Sequence, residues 1–226
     1  MMDLTLGIET STLVGSIAVG VADDVLAEVV LGTGTRHSEQ LLPAIEYALG
    51  IADGQCHQIH RVVIGSGPGS FTGLRIAAAT AKGLAATLEI EVFGYSGLLA
   101  LAAGSGIRDR PVCALFDARR AEVYAACYDL DGTIDVVMKP RVAPIESVLS
   151  ELAAANPVYI GEGARKHEAM IQQRGYAVLP AHVGIPRASA LLWLAHTHTE
   201  YGRIADLHHW EPDYLRASGA ERGVRG

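Results

Sequence analysis

The chain has 226 residues, 50% of them apolar, and a formal net charge of −7. This length suffices for one large domain or two small ones, each with its own hydrophobic core. The acidic balance disfavours a protein that binds nucleic acid by itself, because such a protein must neutralise phosphates with basic side chains. The three cysteines, Cys56, Cys113 and Cys127, form no C-x-x-C pair, so neither a disulfide framework nor a thiolate metal site is predicted.

The first half of the chain predicts three strands, followed by alternating helices and strands. Apolar runs separated by short polar turns predict strands at residues 4–8, 16–21 and 25–31. A helix is expected from His37, because apolar side chains recur at helical spacing as far as Leu49. The remaining elements are predicted as a strand at 62–64, a helix at 74–88, a strand at 90–93 and a helix up to 103 that Ser96 caps.

A glycine-rich loop, GSGPGSFTG at residues 65–73, precedes the long helix. Its glycines permit positive φ angles and close approach of another group, and Ser70 is positioned to cap the free amides of the helix. Such a loop favours an anion or a tightly docked partner. The spacing matches neither the P-loop pattern nor the dinucleotide pattern G-x-G-x-x-G, and Ser70 lies outside a G-x-S-x-G elbow. Local chemistry therefore favours a turn and cap that pack a helix on a sheet.

The second half repeats the plan of the first, since in each half the first strand ends in an acid, Glu9 or Asp117, and a hairpin follows. Its elements are predicted as strands at 112–116, 122–128 and 134–138, a helix at 145–154, a strand at 158–161, a helix at 164–174, a strand at 176–179 and a helix at 189–201. The repeat indicates a duplicated βββαβαβα unit. We therefore expect an α/β protein with lobes at residues 1–104 and 105–216 and a frayed tail at 217–226.

The duplicated unit resembles the actin-like, ribonuclease H-like architecture of sugar kinases and Hsp70-type ATPases (the ASKHA superfamily), in which two halves face each other across a cleft. The resemblance makes the acid-ended hairpins and the glycine loop candidate phosphate loops. The candidate residues are Glu9, Thr10, Ser11, Gly67, Gly69, Ser70 and Asp117. The sequence GEG at 161–163 stands where this architecture usually has a glycine pair against adenosine, and the chain is short for a kinase, so structural turns are favoured over an ATP site.

Five motifs in one order are similar to those of the TsaB (YeaZ) family: IETST at 8–12, HSE at 37–39, GPGSFTGLRI at 67–76, DAR at 117–119 with EVY at 122–124, and EPDYLR at 211–216. The resemblance implies a non-catalytic paralogue of the transferase subunit TsaD, which pairs with TsaD and recruits the ATPase TsaE. That complex transfers a threonylcarbamoyl group onto adenosine 37 of tRNA. Glu9 stands where the family more often has Asp, and Asp213 where an apolar residue is common, and both departures disfavour catalysis by this chain.

The same resemblance implies that tRNA is contacted only through the complex and that this chain holds no cofactor tightly. ATP or ADP at the interface of the assembled complex, and a homodimer of the chain alone, stay open. The sequence has neither H-E-x-x-H nor an H-x-x-x-H pair, so a protease is disfavoured and no metal site is predicted. No basic stretch or long apolar run suggests a signal peptide or a membrane span, so a cytoplasmic location is expected. The alternative function is an autonomous ATPase or small-molecule kinase that uses the cleft.

The partner surface is predicted on the two helices that flank the central strand. Gly73, Ala77, Ala81 and Ala85 follow one another at i, i+4 steps, which makes a narrow face that another helix can approach closely. Apolar side chains elsewhere on this helix suggest that the small face points outward. The predicted contacts are His37, Leu41, Leu42, Ile45, Leu49, Phe71, Leu74, Ala77, Ala78 and Ala81. The alternative is that both helices pack only on their own sheet.

Overall fold

A computed structural model describes residues 3–32 and 37–216, which form two mixed sheets flanked by helices. The first half contains β1 (Leu4–Glu9), β2 (Gly15–Val21), β3 (Asp24–Leu31), α1 (His37–Ile51), β4 (Ile59–Gly65), α2 (Phe71–Leu88), β5 (Glu91–Tyr95) and α3 (Gly97–Gly104). The strand order is β3-β2-β1-β4-β5, with the meander antiparallel and β1, β4 and β5 parallel. The predicted three-strand meander and the strand, loop and helix after it are confirmed.

The second half builds the sheet β8-β7-β6-β9 with the same antiparallel meander and parallel crossover. It contains β6 (Val112–Asp117), β7 (Glu122–Asp129), β8 (Asp135–Pro144), α4 (Ile145–Glu151), β9 (Val158–Ile160), α5 (Glu162–Lys166), α6 (Glu168–Gln173) and α7 (Ala188–Thr197). The predicted fold class, a duplicated actin-like α/β unit, is confirmed in both sheets.

Three predictions for this half are wrong in detail. The segment 176–179 pairs with β9 only through an isolated bridge between Tyr159 and Val178, because β9 is itself short and ends at Ile160, where Gly161 turns the chain into α5. The helix predicted at 164–174 is two short helices that meet at His167, whose φ of −107° departs from helical geometry. The last helix ends at Thr197, and a separate 3₁₀ turn covers Thr199–Tyr201.

The helices form an outer layer on each sheet and one shared layer between the sheets. α1 and α2 cover the outer face of the first sheet, and α4, α5 and α6 cover that of the second. α3 and α7 lie between the sheets, in one core cluster with inward side chains such as Val63, Phe93 and Phe116. α3 packs on β6 and β7 of the second sheet, whereas α7 packs on β1, β2 and β4 of the first. The two halves thus exchange their last helices and share one interior.

Gly7 makes this exchange possible, because a side chain there would lie 2.8 Å from the carbonyl oxygen of Ala188 at the start of α7. The division into lobes at residues 104 and 105 stays a prediction, and the tail at 217–226 lies outside the described residues. In the described part of the chain, no helix combines the length and apolar character needed to cross a bilayer.

Candidate functional site

The glycine loop, residues 65–73 from the end of β4 into the first turn of α2, packs against the β1–β2 hairpin. Ser70 caps α2 as predicted, since its hydroxyl accepts a hydrogen bond of 3.2 Å from the amide of Gly73. The amide of Ser70 donates to the carbonyl of Ser11 at 2.7 Å, and the Thr10 hydroxyl donates to the carbonyl of Gly73 at 2.9 Å. A side chain at Gly69 would collide with the carbonyl of Ser11. The glycines therefore serve close packing of two backbones, as the structural interpretation of the loop expects.

Glu9, at the end of β1, lies beneath this loop rather than in an open cleft. It follows Ile8, which faces the outer core, so its side chain points to the layer between the sheets, where it is fully buried. Its Oε1 accepts hydrogen bonds from the amide (2.6 Å) and the hydroxyl of Ser11, whereas Oε2 has no hydrogen-bond partner among the described residues. Burial raises the pKa of Glu9, and the bonds from Ser11 only partly oppose that rise.

Asp117, the matching acid of the second half, is half-buried and held by hydrogen bonds from two residues. Lys166 of α5 reaches both carboxylate oxygens at 2.8 Å, and the amide of Arg119 donates to Oδ1 at 2.9 Å. Burial raises the pKa of Asp117, but these bonds outweigh it and hold the pKa below its ordinary value. Nearby Glu162 shows the opposite shift, because its burial and the charge of Asp117 raise its pKa. Asp117 therefore stays ionised and paired with a lysine.

A cleft of about 450 Å³ separates the two acid-ended hairpins. Its lining residues come from both halves and from the end of the described chain: Ser11, Thr12, Leu13, Gly69, Ser70, Phe71, Thr72, Phe116, Asp117, Ala118, Arg119, Tyr124, Glu162, Asp213, Tyr214, Leu215 and Arg216. Among the predicted phosphate-loop residues, the fold brings Ser11, Gly69, Ser70 and Asp117 to this cleft. Glu9, Thr10 and Gly67 are not part of its wall.

Sequence reasoning missed one residue that binds the cleft wall and one segment of the wall itself. Lys166, which binds Asp117, is 49 residues away from it, so no local pattern connects the two. The segment Asp213, Tyr214, Leu215 and Arg216 was recognisable as part of a motif, yet nothing in the sequence assigns it a position. Among the described residues, no group of three or more His, Cys, Asp and Glu side chains is arranged to hold a metal ion.

The predicted partner face has the wrong orientation. Ala77, Ala81 and Ala85 are buried in the outer core with Val62 and Ile64, because small side chains let α2 lie close to the sheet. The other predicted contacts that are buried within the chain itself are Leu41, Ile45, Leu49, Leu74 and Ala78. These residues cannot present an outward face. Phe71 is half-buried and Leu42 is exposed, and the side chain of His37 lies outside the described part of the structure.

The outward faces of both helices nevertheless carry apolar or small side chains beside charged ones such as Glu46 and Arg75. Ala79, Gly83 and Ala86 are exposed on α2, and a side chain added at Gly83 would meet open space within the described chain. On α1, large apolar side chains face solvent: Leu42 is 58% exposed, Tyr47 65% and Ile51 51%. We call these six apolar or small residues the outer surface of α1 and α2. Since α1 and α2 are in contact, these residues lie on neighbouring helices.

The two facing halves and the cleft between acid-ended hairpins define the actin-like class of α/β proteins. The activator of 2-hydroxyisocaproyl-CoA dehydratase from Clostridium difficile, solved with bound ADPNP, shares this fold at a TM-score of 0.51 and 15% identity, over 88% of this chain and 95% of that one. YeaZ from Pseudomonas aeruginosa is much more similar, with a TM-score of 0.80 and 32% identity over 95% of this chain and all of that one.

The sequence comparisons agree with the structural ones. The Bacillus subtilis (strain 168) protein named tRNA threonylcarbamoyladenosine biosynthesis protein TsaB is 32% identical over 96% of this chain and 95% of its own length. The family model described as TsaD, tRNA N6-adenosine threonylcarbamoyltransferase, matches residues 25–223. The chain therefore belongs to the TsaB (YeaZ) family, as the motifs indicated.

Proposed function

We propose that this chain is a non-catalytic scaffold subunit in the synthesis of N6-threonylcarbamoyladenosine in tRNA. In this role it pairs with a TsaD-like transferase, which does the chemistry, and with a TsaE-like ATPase. The observation that carries the proposal is the near full-length similarity to proteins named for this pathway. tRNA contacts then run through the complex, the location is the cytoplasm, and any ATP or ADP belongs at the interface of the assembled complex.

The state of the two hairpin acids supports a non-catalytic role. A carboxylate that coordinates a metal-bound polyphosphate must be ionised and must reach the cleft. Glu9 is buried with a raised pKa, and Asp117 is already engaged in an ion pair with Lys166. Neither acid is free to bind a magnesium ion in this conformation. The alternative, an autonomous ATPase or small-molecule kinase, would require both side chains to rearrange.

The outer surface of α1 and α2 supports the pairing. Large side chains on one helix and small side chains on its neighbour form ridges and a groove into which a second helical pair can pack. The same surface would serve a homodimer when the transferase is absent, because helices packed in this way can complement a second copy of themselves. We propose that this outer surface, rather than the buried stripe of α2, contacts the partner.

A paired binding experiment tests this assignment against the alternative. The purified chain is titrated with ATP and Mg²⁺, alone and with its TsaD-like partner, and complex formation is followed by size-exclusion chromatography. The scaffold role predicts a stable complex and no saturable ATP binding by the chain alone. Saturable ATP binding and turnover by the free chain would support the autonomous ATPase instead.

A further inference from the structure

The chain after α7 returns along the first sheet before it reaches the cleft. It covers the edge strand β5, where Gly94 donates to the carbonyl of Gly202 at 2.8 Å and Ile204 donates to that of Val92 at 3.1 Å. Lys82 of α2 then fixes the segment by donating to the carbonyl of Trp210 at 2.8 Å. These contacts place the end of the described chain, residues 213–216, at the cleft.

The next residues bind the glycine loop of the first half. The amide of Asp213 donates to the carbonyl of Ser66 at 2.8 Å, and the carbonyl of Asp213 lies over Gly67, where an added side chain would approach it to 2.8 Å. The ring of Tyr214 packs on that of Phe71, with centroids 5.0 Å apart and planes tilted by 43°. Pro212 is buried.

Arg216 binds the second half instead. Its guanidinium donates to the carbonyl of Ala118 at 2.5 Å and forms an ion pair with Glu122. The Arg216 side chain is 21% exposed and that of Glu122 34%, so water screens this pair less than a pair on the open surface. These two contacts fall at the two ends of the β6–β7 hairpin turn.

That hairpin turn adopts a conformation that needs external support. Arg119, Arg120 and Ala121 have φ angles of 63°, 54° and 61°, three successive non-glycine residues in the left-handed region. Side chains disfavour this region, and runs of it persist only where surrounding contacts hold them. Arg216 supplies such contacts on both sides of the run.

We propose that residues 212–216 form a strap that ties the glycine loop of the first half to the hairpin of the second and holds the cleft closed. Within four residues the strap has anchors on both walls, and it forms part of the wall itself. A ligand that enters the cleft from this end must displace Tyr214 and Arg216. Release of Arg216 should therefore let the two hairpins separate, and the strap acts as a built-in restraint on cleft opening.

A distance measurement across the cleft tests the strap in the full chain. Leu13 in the β1–β2 hairpin and Glu146 at the start of α4 are exposed and lie at the cleft ends of the two sheets. Because Cys56 is exposed whereas Cys113 and Cys127 are buried, spin labels on a variant with Cys56→Ser, Leu13→Cys and Glu146→Cys report the separation of the halves. We expect Arg216→Ala to shift the distance distribution to longer values and to broaden it. Glu122→Ala should give a smaller change in the same direction, because the bond to Ala118 remains.

Arg203→Ala is the matched control. Arg203 precedes the strap in the chain after α7, and it pairs with Glu91 on β5 of the first half. This variant should leave the distribution unchanged. If the distance distribution of the Arg216→Ala variant coincides with that of the labelled protein with Arg216 intact, the strap does not restrain the cleft and the proposal is wrong. If circular dichroism shows that Arg216→Ala does not fold, Tyr214→Ala takes its place with the same two outcomes.

Discussion

Arg187, the residue before α7, donates a hydrogen bond of 2.8 Å to Oε2 of Glu28 on β3. The hydroxyl of Ser16 donates to Oε1 at 2.8 Å and the amide of Ser189 at 3.2 Å. The Glu28 carboxylate thereby joins the start of α7 to the first sheet and completes the helix exchange between the halves. Burial raises the pKa of Glu28, but the bonds from Arg187, Ser16 and Ser189 outweigh it and hold the pKa below its ordinary value of 4.5.

Glu28→Gln should lower the free energy of unfolding at about pH 7 by about 1 to 3 kcal/mol, since hydrogen bonds to a largely buried charge are lost or weakened. A group with a lowered pKa stabilises the fold above its unfolded pKa and loses that contribution as the pH falls through the folded one. The difference in free energy of unfolding between wild type and variant should therefore become smaller below pH 4.5. Urea denaturation at pH values above and below 4.5 measures the difference in free energy of unfolding between the two proteins. A difference that does not depend on pH would contradict the role of the charge.

Glu9→Gln should show the opposite dependence on pH. The pKa of Glu9 is raised from 4.5 by burial, so its protonated form stabilises the fold at low pH and that contribution is lost as the pH rises through the folded pKa. Relative to wild type, the Gln variant should gain in free energy of unfolding as the pH rises above 4.5. Denaturation series below pH 4.5 and at successively higher pH values provide the comparison. If the free energy of unfolding of the variant instead falls relative to wild type as the pH rises, the fold stabilises the Glu9 carboxylate as an anion.

Gly83→Ala separates the stability of the free chain from its assembly. Gly83 lies inside α2 and its added Cβ meets open space, so alanine should raise the free energy of unfolding of the free chain by about 0.5 to 1 kcal/mol. If the partner backbone packs closely on this point, the same methyl group should weaken the complex. Thermal unfolding and a binding titration give the two values. Tighter or unchanged binding would place the interface elsewhere.

Ala79→Glu and Ala77→Glu form a matched pair on opposite faces of α2. Ala79 is exposed, whereas Ala77 is fully buried in the outer core. We expect Ala79→Glu to keep the circular dichroism spectrum of the wild type and to prevent the heterodimer. Ala77→Glu should destabilise the free chain by several kcal/mol, because it buries an unpaired charge. An intact complex with Ala79→Glu would refute the outer surface as the partner site.

The elements of the fold could be predicted from the sequence because each depends on local patterns. The apolar run of β1 and the cap at Ser70 are such patterns, and both appear where expected. The orientation of α2 could not be predicted, since Ala77 and Ala79 are equally small and only tertiary packing decides which faces the sheet. The exchange of α3 and α7 depends on contacts such as Arg187 with Glu28, which are 159 residues apart.

The site was harder to predict than the fold for the same reason. The motif that ends in Arg216 is visible in the sequence, but its acceptor at Ala118 is 98 residues away. The resemblance to actin-like enzymes correctly located two acid-ended hairpins on either side of a cleft. It could not reveal that Lys166 binds Asp117 or that Glu9 lies beneath the glycine loop, because both depend on side-chain packing.

We propose that this chain supports modification of tRNA without performing the chemistry. The most direct test incubates tRNA, ATP, threonine, bicarbonate and the enzyme that makes threonylcarbamoyl-adenylate with either this chain alone, the TsaD-like and TsaE-like partners alone, or all three together. Modified adenosine is then quantified by mass spectrometry of digested tRNA. The scaffold role predicts modification only when the partners are present, and far more of it when this chain is added. Modified adenosine produced by this chain without the transferase would show that the chain performs the chemistry itself and is not a scaffold.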